Sequence, residues 1–133
     1  MNINKNSLAR IGIGIVVVHL VITFLHAFAH SNLFIAMSLL QNFYIFLVIL
    51  AGPIVAVIIL RYKPKVGFAV LAVSMLGSFL FGVYHHFVAI GSDNVFTLDS
   101  SPWTMVFQLT AVLLAIIEFA GTGIGLLGVL AQD

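Results

Sequence analysis

The residues of this chain with chemistry to offer are few, and they sit in otherwise apolar sequence: His19, His26, His30, His85, His86 and Glu118. His26 and His30 are spaced i, i+4, which puts two imidazoles on one helical face, where both can reach one metal ion. His85 or His86, from a second segment, would supply a third or fourth nitrogen. Asp93, about two turns beyond His86, would add an oxygen ligand or steady a ligating imidazole. Neutral imidazoles suit copper, iron or zinc rather than hard, oxygen-loving ions. Cysteine is absent from the sequence, so thiolate sites, disulfides and redox dithiols are excluded. Glu118 pairs in prospect with His19, because a carboxylate in an apolar span must be neutral, paired or wet.

The elements that must carry these groups follow from composition. The 133 residues are 62% hydrophobic and only 7% charged, against about 25% charged in ordinary soluble domains. So few charges cannot coat a water-soluble globule. A soluble enzyme, a nucleic-acid binder and a disordered chain are set aside, and one integral membrane domain over residues 1–133 is expected. Four runs approach the roughly 20 apolar residues that a membrane-crossing helix needs. They cover about 8–29, 43–60, 66–90 and 103–130, with Gln41 and Asn42 interrupting the apolar run ahead of the second. Pro64 marks a tight turn between the second and third. Ser101 with Pro102 caps the fourth, and Pro53 should kink the second. The expected fold is an all-α, antiparallel four-transmembrane-helix bundle.

Lys5, Arg10, Arg61, Lys63 and Lys65 all fall on one side of these spans, whereas Asp93 and Asp99 fall on the other. The positive-inside rule therefore predicts cytoplasmic N and C termini in the plasma or inner membrane. The first run is too long for a cleaved secretory signal. With helix one running outward, His30 lies near the outer surface and His19 about 16 Å deeper at 1.5 Å per residue. Helix four runs inward and lowers Glu118 by roughly 22 Å from Trp103 at the same rise. Two layers result: an outer group of His26, His30, His85 and His86, and a deeper pair, His19 with Glu118. A rotation of 100° per residue puts Ser74, Ser78 and His85 on one face of helix three, with His86 about 100° away.

Haem b is the alternative occupant of the outer layer, with one histidine from each of two helices on opposite faces of the iron. In this respect the chain is similar to b-type cytochrome bundles. Ala29 and Gly82 would leave room for the macrocycle, but no Arg or Lys at that end meets its propionates. His26-xxx-His30 followed by His85-His86 also resembles the histidine boxes of membrane fatty-acid desaturases. The resemblance covers those four residues only. Such enzymes use about twice as many histidines, on the cytoplasmic side, which sets that chemistry aside. Gly123, Gly125 and Gly128 spell GxGxxG without the strand a dinucleotide site requires. Gly121 and Gly125 read instead as a close-packing face for another helix of the bundle, a partner membrane subunit or a second copy. Three functions follow. The first is transition-metal or haem binding, as in an electron-transfer or accessory subunit of a membrane complex. The second is proton or cation transport through Glu118 and His19, and the third a purely structural subunit among membrane lipids. An enzyme acting alone is not expected.

Overall fold

The computed structural model describes residues 5–132. Four helices fill it: α1 (Lys5–Asn32), α2 (Leu39–Leu60), α3 (Pro64–Val88) and α4 (Pro102–Leu130), each long and apolar enough to cross a membrane. No strand occurs among the described residues. Ser101 Oγ accepts from the Thr104 amide at 3.1 Å and Pro102 opens α4, as the punctuation predicts.

Several helix ends differ from the sequence reading, and α1 runs three residues further at each end. α2 starts earlier, because Ser38 and Gln41 form a reciprocal capping box. The Gln41 amide donates to Ser38 Oγ at 3.2 Å and the Ser38 amide to Gln41 Oε1 at 2.7 Å. Gln41 and Asn42 therefore belong to the helix start instead of breaking it. α3 stops at Val88, where Ala89 turns extended. The expected disturbance at Pro53 takes the form of a π-helical stretch over Ile45–Ala51. That wider turn accommodates a residue with no amide hydrogen to give.

The bundle is inside-out relative to a soluble one. On α1, Val17, Val21, Phe24 and Phe28 are exposed, while His19, Thr23, His26 and His30 are buried. A lipid-facing exterior has that distribution, since polar groups must then find partners inside. α4 packs between α1 and α3, and α3 also packs on α2, so α1 and α3 face each other across the bundle. Below the polar layer lies a core of Leu8, Val16, Leu60, Phe68, Leu71 and Met75. Above it, Ala29, Val95, Phe107 and Ala111 form a second core under the α3–α4 loop.

Glycines set how closely α3 and α4 approach. A Cβ added at Gly125 would lie 2.6 Å from the Ala72 backbone nitrogen, one at Gly121 2.9 Å from Met75 Cγ, and one at Gly128 2.2 Å from the Phe68 ring. The Gly121–Gly125 face is thus occupied by α3 of the same chain. We expect Gly125→Leu to force α3 and α4 apart and abolish a monodisperse folded species in detergent. Gly123→Ala, whose added methyl meets nothing within 4 Å, should leave the melting temperature within a few degrees. Size-exclusion chromatography and thermal unfolding of the two variants check this.

Candidate metal centre

α1 carries His26 and His30 on its inner face one turn apart, and α3 carries His86 opposite them. All three are buried. Each offers one ring nitrogen, and the three nitrogens lie within 4.8 Å of one another, so the group could hold a metal ion. His26 Nε2 and His86 Nε2 are 3.2 Å apart. Phe107 stacks on the His26 ring at a centroid distance of 4.6 Å and closes the group on the α4 side.

A π turn decides which member of the His85–His86 doublet joins. Tyr84–Val88 is π-helical, and the Ala89 amide donates to the Tyr84 carbonyl at 2.7 Å, five residues back. One extra residue in the turn delays the rotation by about one position. His86, and not His85, therefore points inward on the side of Ser74 and Ser78. His85 is turned towards the side of the bundle, its Nδ1 3.4 Å from Gln41 Nε2 and 3.9 Å from Asp93 Oδ2. Asp93 contributes to the cluster through its backbone: its carbonyl accepts from His86 Nδ1 at 3.0 Å. The loop after α3 is held over the cluster for this purpose. The Val95 amide donates to the His86 carbonyl at 3.0 Å, and Gln108 Nε2 donates to the Val95 carbonyl at 2.7 Å.

These contacts constrain the protons. A carbonyl only accepts, so His86 carries its hydrogen on Nδ1 and presents a bare Nε2 lone pair to the cluster. His26 Nδ1 lies 2.7 Å from Thr110 Oγ1, which lies 2.7 Å from the Val106 carbonyl. With the hydroxyl donating to Val106, His26 donates from Nδ1 and its Nε2 lone pair also faces inward. Two lone pairs then converge at 3.2 Å, an arrangement that a shared cation could bridge. With the hydroxyl rotated to donate to His26 Nδ1, the ring hydrogen sits on Nε2 and bonds His86 instead. The orientation of the Thr110 hydroxyl thus goes with the His26 tautomer, and a metal held here would take the place of one proton. His30 Nδ1 is buried and has no hydrogen-bond partner.

Deeper along the bundle, His19 Nε2 and Glu118 Oε1 meet at 3.1 Å, both side chains almost wholly buried. Thr23 Oγ1 lies 3.4 Å from the same His19 nitrogen. Both layers border one cavity of about 70 Å³, lined by His26, His30, His86, Ser78, Gly82 and Glu118 among others. Sequence reasoning passed over Thr110, since a threonine in an apolar helix bears no mark distinguishing a packing residue from a hydrogen-bond partner. Gly82, which the sequence reading singled out as room for a macrocycle, lies one turn before His86 and borders it.

Searches of protein-family models, curated proteins and solved structures find no match to this chain. The site therefore stands on its own geometry.

His19→Leu should leave Glu118 without its buried partner and lower stability by about 1–3 kcal/mol. The double variant His19→Leu/Glu118→Leu should recover most of that loss, because the buried carboxyl group that lacked a partner is then gone. Unfolding in mixed micelles measures both.

Proposed function

We propose that the chain is a multi-pass protein of the cell membrane, N-in and C-in, that binds one transition-metal ion near its outer face. The ligands are His26, His30 and His86, and the ion is copper, iron or zinc. The observation that carries this reading is the 3.2 Å separation of His26 Nε2 and His86 Nε2. Metal–nitrogen bonds of about 2.0–2.1 Å at a tetrahedral centre put ligand nitrogens roughly 3.3 Å apart. His26 and His86 already stand at that spacing, and the His30 nitrogen, within 4.8 Å of them, would close in on the ion. The Nδ1 contacts of His26 and His86 to Thr110 and to the Asp93 carbonyl support the reading, since ligating imidazoles are held that way. His85 is outside the proposed ligand set, and Asp93 serves through its carbonyl and its nearby charge.

The same contact favours an ion over haem b. Trans imidazoles about an iron need their nitrogens about 4 Å apart, with a macrocycle between them. Here the nitrogens are only 3.2 Å apart, which leaves no room for a macrocycle between them. A redox-active ion would make the chain an electron-transfer or accessory subunit of a membrane complex.

A second reading, proton or cation transport, is favoured by one observation: Glu118, paired with buried His19, lines the same cavity as the histidines. Under it, Glu118→Gln stops flux into liposomes while the fold survives, and undiminished flux would defeat it.

For the metal reading, elemental analysis of purified protein should give one ion per chain. His26→Ala and His86→Ala should lose it, and His85→Ala should keep it. Full occupancy in both His26→Ala and His86→Ala would defeat the assignment. Thr110→Val should weaken affinity by about 10–100-fold, with Thr110→Ser close to the parent. Equal affinity in all three proteins would remove Thr110 from the site.

A further inference from the structure

Resting on the metal reading, we infer that the centre keeps one coordination position open towards the interior cavity. There it takes a small inorganic ligand of one to three heavy atoms, positioned by the free oxygen of Glu118. Three observations lead to this. The described residues bring three histidines together and no fourth His, Asp or Glu. The one further imidazole at that level, His85, is turned away to Gln41 by the π turn that brings His86 in. A centre with three protein ligands and a free position is the arrangement of sites that bind exogenous molecules, whereas purely structural centres are closed by four.

The cavity has the size and the lining for such a ligand. Its volume of about 70 Å³ is several times the 10–15 Å³ that one water requires on this measure. Apart from the histidines, Glu118, Asp93, Thr23 and Ser78, its walls are apolar, among them Ile45, Ile49, Ala111 and Leu114. A large or highly charged ligand would find too few partners there.

Gly82 locates the ligand. A Cβ built on it would lie 3.8 Å from Glu118 Oε2 and 4.0 Å from His86 Cδ2, with nothing nearer. A side chain is therefore missing from the very space between the carboxyl group and a metal-binding ring. Glu118 Oε1 is held by His19 at 3.1 Å. That contact, with His19 Nε2 donating to Oε1, orients the carboxyl group and turns Oε2 to the Gly82 side, where in its protonated form it donates a hydrogen bond to a small acceptor such as azide. His19 and Glu118 then act as positioning residues for the ligand of the upper layer.

The test uses the full chain in detergent micelles, loaded with cobalt(II), whose visible d–d bands report coordination number, and titrated with azide. We expect one cobalt per chain and a saturable, one-to-one change in these bands as azide enters. Gly82→Ala should bind cobalt with unchanged stoichiometry, because its methyl meets nothing closer than 3.8 Å. Its azide affinity should fall by about tenfold, the scale of one misplaced methyl group in a confined site. Stoichiometric cobalt whose bands ignore azide would overturn the open position while leaving the metal reading intact. Azide binding that Gly82→Ala does not weaken would overturn the cavity as the ligand's place. No cobalt bound at all would overturn both readings together.

Discussion

Everything in this molecule hangs on where its buried imidazoles find their hydrogen-bond partners. The outer surface is apolar nearly throughout, so a histidine turned inward has only other protein groups to satisfy it. His19 uses a carboxylate, His26 a threonine hydroxyl, and His86 a loop carbonyl. Each choice ties α1 or α3 to α4 or to the loop before it. The polar layer is therefore a set of crosslinks between helices whose apolar faces, against lipid, would give little preference for one register. A shift of one residue along α1 would break the contacts to Glu118, Thr110 and His86 together.

That register needs helices close enough for short side chains to meet, which is the part played by small residues. Along α3 and α4, Gly121 faces Met75, Gly125 faces Ala72 and Gly128 faces Phe68, all in the half of the bundle away from the histidine cluster. Without a hydrophobic force between helices in lipid, close backbone approach supplies packing that bulky residues would forbid. That half is thus a dense, apolar clasp. The half that carries the histidine cluster, where Gly82 and Ala111 line a cavity, is left room for chemistry.

Periodicity and hydropathy made the helices legible. The four apolar runs match four helices, and depth counting along α1 and α4 brought His19 level with Glu118, where they are hydrogen bonded. His26 and His30 share a face because four residues make about one turn. The doublet at 85–86 was not legible in that way. A rotation of 100° per residue holds only while the helix is α-helical, and the π turn at Tyr84–Val88 breaks the count at the doublet itself. No residue type announces such a turn. The part of Asp93 was equally hidden, since it bonds His86 through a backbone oxygen that every residue possesses. The start of α2 was in principle readable: Ser38-x-x-Gln41 is a capping signature, outweighed here by the polarity of Gln41 and Asn42.

The π turn has a further consequence in terms of descent. A single-residue insertion in a helix rotates everything beyond it, and here it falls beside two identical residues. Deleting one residue between Gly82 and His85 would restore the α-helical count and carry the doublet back by one position. A histidine would still reach the axis, and only its index would change. The π turn therefore absorbs a one-residue change of length without loss of the inward histidine. Among chains descended from a common ancestor with this one, the ligand on the third helix would be expected to keep its place in space while shifting its place in an alignment.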